Sequence, residues 1–182
     1  MMELARQAKA ASRELAGLST ADKNACLMAM ASALEQNGAA IKEANGLDME
    51  TGAQLGLSAA MLDRLKLDDK RIAAMAKGLR DVAALPDPVG KILDQRIRPN
   101  GLKLEKISTP IGVVVIIYES RPNVTADAAS LCFKSGNATI LPFLFRSPVP
   151  PVSRWGCDAA KLSAGRPWES RAKYSYLSRL RT

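Results

Sequence analysis

The chain has 182 residues, 47% of them hydrophobic and 24% charged. That suits one globular domain or slightly more, and it excludes a mostly disordered chain, a collagen-like repeat and a disulfide-dense mini-protein. The formal charge of +8 is unevenly placed: 18 Lys+Arg face 16 Asp+Glu through residue 141, and 8 face 2 in the 41 residues after it, so the basic character belongs to the tail.

The first stretch reads as a helix, with Leu4, Ala8, Ala11, Leu15 and Leu18 on one stripe of a 3.6-residue period and Gly17 as its stop. Ser19 followed by Asp22 resembles a capping box. A second helix carries Leu27, Met30, Leu34 and Ile41 on one face and ends or bends at Gly38. Residues 39–54 look helical again, with an interruption expected at Asn45-Gly46. Ser58 caps a short helix bearing Met61, Leu62 and Leu65. Asp68 or Asp69 opens a clearer one, with Ile72, Met75, Leu79 and Val82 in its stripe, stopped by Pro86 and Pro88. The acidic pair belongs to that helix start rather than to a metal site.

The period changes in residues 91–107. Two extended stretches flank Pro99-Asn100-Gly101, a hairpin signal, and Leu102-Lys103-Leu104-Glu105 alternates as a half-exposed strand should. Residues 111–118 form a β-branched run that is apolar on both faces, the pattern of a strand buried inside a parallel sheet. Residues 124–134 look helical, with Ala128, Leu131 and Cys132 as the inward face. Ser135-Gly136-Asn137 reads as a C-cap rather than a phosphate cradle, and residues 138–141 begin another strand, giving a βαβ unit. Beyond residue 141 the composition shifts. Half of the ten prolines, both tryptophans and six arginines fall there.

There is no histidine, which excludes histidine triads, HExxH metal sites and histidine general bases. Cys26, Cys132 and Cys157 are odd in number and widely spaced, so neither a disulfide framework nor a zinc site is expected, and Cys26 and Cys132 read as core residues. The longest apolar run is eight residues, far short of a membrane span of about twenty, and no secretory signal opens the chain. No metal and no membrane are expected.

Within the βαβ unit, STPIGVVVIIYESRPNVT (residues 108–125) and KSGNATIL (134–141) closely resemble the γ-glutamyl phosphate reductase family, the proline-biosynthesis branch of the aldehyde dehydrogenase superfamily. LSAAMLDRL (57–65) and DQRIRPNG (94–101) resemble it too. The resemblance implies an α/β protein comprising the N-terminal part of an aldehyde-dehydrogenase-like fold. Its expected divisions are a helical segment (1–90), an oligomerisation-type β-hairpin (91–109), the start of an NADP-binding Rossmann-like domain (110–141) and an unmatched basic tail (142–182), disordered or out of frame. It further implies a cytoplasmic, homo-oligomeric enzyme in which a cysteine attacks L-glutamate 5-phosphate and NADPH reduces the thioester to L-glutamate 5-semialdehyde. The loop after the first strand of the cofactor domain would carry an oxyanion donor, Asn123 or alternatively Arg121, with Tyr118, Glu119 and Ser120 on the cofactor side.

Relatives in that family continue with a basic residue and a glycine pair, whereas this chain reads Pro142-Phe143-Leu144-Phe145. A shifted reading frame near residue 142 is the expectation, leaving an inactive, truncated form in which Cys157 does not inherit the catalytic role. Two rivals stand beside it. One is a non-catalytic oligomerising subunit. The other is a nucleic-acid module built on Arg146, Arg154, Lys161, Arg166, Arg171, Lys173, Arg179 and Arg181, with Trp155, Trp168, Tyr174 and Tyr176 between them, which basic charge alone supports weakly.

Overall fold

The computed structural model describes residues 2–118 and 121–141. Five helices come first: α1 (Met2–Ala16), α2 (Thr20–Gln36), α3 (Gly38–Gln54), α4 (Ala59–Leu65) and α5 (Asp69–Ala84). An antiparallel ribbon of β1 (Ile92–Ile97) and β2 (Lys103–Ile107) follows. Then come β3 (Val113–Val115), α6 (Pro122–Lys134) and β4 (Ala138–Ile140), with β3 and β4 parallel. Among the described residues no helix is long and apolar enough to cross a membrane.

Local chemistry sets the helix starts. The first N–H groups of a helix lack intrahelical acceptors, and short polar side chains supply them: Ser19 accepts from the Asp22 N–H, Ser58 from Met61 and Asp68 from Arg71. The Ser19–Asp22 pair is not a reciprocal capping box. The Asp22 carboxylate takes the Ser19 hydroxyl at 2.7 Å, because aspartate is a methylene shorter than the usual glutamate. α3 runs unbroken through Asn45-Gly46, contrary to the expected interruption. Asn45 is buried, donates from Nδ2 to the Leu65 carbonyl at 2.9 Å and accepts the Leu67 N–H at 2.7 Å. Its amide serves the α4–α5 junction and leaves its own backbone helical.

Packing is organised by α2 against α5, with α6 laid on both and α1 packed on β3 and β4. Leu27, Ala31 and Leu34 of α2 and Met75, Ala76, Leu79 and Ala83 of α5 share one core with Ala126 and Phe133 of α6 and Ala138 of β4. Leu27 and Leu79 are fully buried, worth about 1.5–3 kcal/mol each in transfer free energy. The inward face of α6 differs from the sequence expectation. Ala126, Ser130 and Phe133 point in with Cys132, while Leu131 is 52% exposed. Periodicity defines a stripe but cannot place its edge, which α5 decides here.

The ribbon turn also departs from a two-residue Asn-Gly turn. The Gly101 N–H donates to the Arg98 carbonyl at 2.8 Å, and the Arg98 N–H donates to Leu102 at 2.9 Å. Asn100 keeps a negative φ while Gly101 sits at φ +83°. Pro99 and Asn100 thus occupy the centre of a type I-like turn, followed by a left-handed glycine. Both strands are solvent-exposed except at Asp94, so β2 is not half-buried as its alternation suggested.

β3 is shorter than the apolar run that contains it and is not buried on both faces. Ile111 is 85% exposed and Ile117 70%, because among the described residues the strand has one partner, β4, over three residue pairs. α6 ends in a Schellman arrangement, with the Asn137 N–H to Cys132 and the Gly136 N–H to Phe133. Asn137 Oδ1 then accepts the Gly112 N–H at 2.8 Å, which starts the β3–β4 pairing. The tail expectations, Cys157 among them, lie outside the described residues.

Candidate functional site

In open parallel sheets the crevice for ligands lies beyond the carboxyl ends of the strands. Here the β3–β4 ladder extends to Ile116, whose N–H donates to the Ile140 carbonyl at 3.1 Å. The chain then crosses to α6, which opens with Pro122 at its first turn, a residue whose fixed φ suits that position. Arg121 precedes it in extended conformation (φ −121°, ψ 105°), and its side chain does not cap the helix.

Tyr118 and Thr125 meet across this crossing, hydroxyl to hydroxyl at 2.5 Å. Thr125 is buried and Tyr118 half-buried. Burial pushes the Tyr118 phenol above its ordinary pKa, and the Thr125 hydrogen bond works the other way without cancelling it. Asn123 and Arg121 are both exposed. The structure therefore brings Tyr118, Arg121 and Asn123 together on one crossing and one helical turn. Glu119 and Ser120 lie outside the described residues. An amide and a guanidinium beside the positive end of a helix suit an anionic or carbonyl oxygen.

Nucleophiles are elsewhere. Cys132 is buried in the second half of α6, and Cys26 is buried in α2. Burial first, and the Asp22 charge second, push the Cys26 thiol up, away from the reactive thiolate. Both behave as core residues, as expected. Among the described residues no group of three or more His, Cys, Asp or Glu side chains could hold a metal ion.

A second polar cluster was not anticipated. Lys23 is 1% exposed, and its Nζ donates to both Asp87 carboxylate oxygens, at 2.9 and 3.3 Å. Asp87 also accepts from the Thr20 hydroxyl and the Val89 N–H, each at 2.9 Å. Lys134, likewise buried, donates to the Ala83 carbonyl at 2.9 Å and to Asn24 Oδ1. Burial works against the Asp87 charge, yet the hydrogen bonds from Val89, Lys23 and Thr20 outweigh it and hold the carboxyl below its ordinary range. Burial pulls the Lys134 ammonium below its ordinary value, offset in part by Asp87 and reinforced by Lys23. One signal was available: Lys23 lies four residues before Leu27, in line with Ala31 and Leu34. Asp127 was missed as well. Burial raises its carboxyl pKa where it leans on α5, near Gly78, although the residue reaches the surface.

No family model matches the chain. It is 58% identical over 141 residues to a gamma-glutamyl phosphate reductase of Syntrophomonas wolfei, covering 78% of this chain and 34% of that protein. It is 58% identical over 139 residues to one of Geotalea daltonii, covering 76% and 33%. Among solved structures, the gamma-glutamyl phosphate reductase of Thermotoga maritima superposes with a TM-score of 0.80 at 35% identity, covering 90% of this chain and 39% of that one. The Saccharomyces cerevisiae enzyme gives 0.78 at 34%, covering 90% and 41%. The chain spans about a third of the length of the curated relatives it matches. In sequence and fold the chain is similar to the N-terminal portion of the gamma-glutamyl phosphate reductases.

Proposed function

We propose that the protein serves the NADPH-dependent reduction of L-glutamate 5-phosphate to L-glutamate 5-semialdehyde, in the cytoplasm and on the route to proline. The described residues would contribute the loop between nucleotide and substrate. The observation that carries this reading is 58% identity over 141 residues to a protein named for that reduction. The chemistry needs a nucleophile to displace phosphate, a hydride donor, and hydrogen-bond donors fixed where charge develops on the carbonyl oxygen. Asn123 fits the last role, with Arg121 as the alternative, both exposed at the start of α6. NADPH supplies hydride when bound. A parallel strand end next to a helix N-terminus suits a dinucleotide, and Tyr118, Glu119 and Ser120 would stand on its side of the loop.

The nucleophile is not supplied by Cys26 or Cys132, which are buried in α2 and α6. Cys157 stands in sequence that departs from the family and does not inherit the role, so the 182-residue polypeptide assayed by itself is expected to be inactive. The test combines two measurements on the purified chain. NADPH fluorescence should report saturable binding, while NADP⁺ with the semialdehyde and phosphate should yield no NADPH. Turnover would overturn the expected inactivity, and lack of NADPH binding would overturn the nucleotide-side role.

A second reading, an oligomerising subunit without catalysis of its own, is favoured by the β1–β2 ribbon. It exposes Leu93, Leu102 and, at 72%, Ile97, and an isolated two-stranded ribbon is marginal until it packs on something. Homo-oligomerisation through this ribbon is proposed under both readings. Co-purification with an intact reductase would favour the second.

A further inference from the structure

We propose that Tyr118 is a positioning residue, whose hydrogen bond to Thr125 clasps the β3–α6 crossing onto the first turns of the helix and so fixes where Arg121 and Asn123 stand. This rests on the reading of that crossing as the edge where nucleotide and substrate meet. The backbone ladder holds the chain as far as Ile116, and Pro122 is buried at the start of α6. Between them Ile117 points outward and Tyr118 turns in. Thr125, 3% exposed, lies three residues past Pro122 on the same helical face, and its hydroxyl meets the phenol of a residue seven positions earlier.

A tie of this span restricts the crossing before any ligand arrives, so the ordering cost falls on folding rather than on binding or on the transition state. It also changes the part Tyr118 plays. With its hydroxyl engaged by Thr125, Tyr118 acts on the site through the loop it holds.

The test uses the full 182-residue chain with Tyr118→Phe, Thr125→Val and the conservative Thr125→Ser, read by hydrogen exchange and by NADPH titration. Tyr118→Phe and Thr125→Val should raise exchange across residues 117–126 by about fivefold, the worth of one hydrogen bond. NADPH affinity should weaken by a similar factor, and Thr125→Ser should restore both. Protection in α2 and α5 should not move, and its loss would assign the pair a merely structural role and overturn the proposal. Unchanged loop exchange would overturn it, as would faster exchange with unchanged NADPH affinity. If the unsubstituted chain binds no NADPH, the nucleotide reading of the crossing fails, while exchange and its rescue by serine still decide the clasp.

Discussion

At the meeting point of α2, the α5–β1 connection and the end of α6, Lys23 binds the Asp87 carboxylate directly, while buried Lys134 is held by the Ala83 carbonyl and Asn24 and feels the charge of Asp87. The Lys23–Asp87 pair is 1% and 11% exposed on its two sides, so removing one partner strands a charge rather than merely losing an attraction. Lys23→Met should therefore cost about 3 kcal/mol, read from the urea midpoint. The pH dependence separates the two remaining groups. The Asp87 pKa is depressed in the folded protein, so its stabilisation is complete above the unfolded carboxylate value near 4 and is lost as pH falls through the folded value. Asp87→Asn should flatten that acid limb. Lys134 is depressed too, but for a base the sign reverses. The folded state sheds its proton first, so stability rises as pH climbs from the lowered value toward about 10.4. Lys134→Met should remove that alkaline rise, and a slope identical to the unsubstituted chain would mean that Lys134 is not desolvated. Next to this cluster, Gly136 has φ +74°, and an added Cβ would lie 2.9 Å from Pro110 Cγ. Gly136→Ala combines backbone strain with a clash against a ring that cannot swing away, and should cost about 2–3 kcal/mol in the same urea titration.

Among the elements, the ribbon behaves differently from the helices because its residues have little to pack on among the described residues. Substituting Ile97 or Leu104 by lysine should change the unfolding free energy measured in urea by less than about 0.5 kcal/mol, as at other exposed positions. The same change should shift sedimentation toward smaller species if the ribbon joins subunits. A large loss of stability with no change in sedimentation would show that the ribbon packs within its own chain. The contrast explains what was legible in the sequence. Ser19, Ser58 and Asp68 could be read because a cap is a contract between residues three apart. The stripe of α5 and the βαβ order were legible for the same local reason. Asn45 misled because its buried amide serves a junction twenty residues away. The Lys134–Asn24 contact spans 110 residues, and no local pattern announces such a partner. At the candidate site, the motif singled out Tyr118, Arg121 and Asn123. That Tyr118 would turn back onto Thr125 depended on how α6 packs.

At the scale of the whole molecule, the apolar run around β3 is the feature that most needs a neighbour. A strand apolar on both faces belongs inside a sheet, yet Val115 is 56% exposed and Ile117 70%, with β4 as the one partner strand among the described residues. The superposed reductase structures are more than twice the length of this chain, so those folds have further material with which to cover such a strand. Exposed β-branched surface beside an unpaired strand edge promotes association. Replacing Val115 and Ile117 together by threonine keeps their β-branched shape and removes apolar surface. The doubly substituted chain should bind less of a hydrophobic dye and sediment as a smaller species, with the unfolding free energy measured in urea moved by less than about 0.5 kcal/mol. Unchanged dye binding and sedimentation would mean that these faces are already covered in solution. A fall in stability of several kcal/mol would place both side chains in a core, and either result would remove the exposed strand as a cause of association.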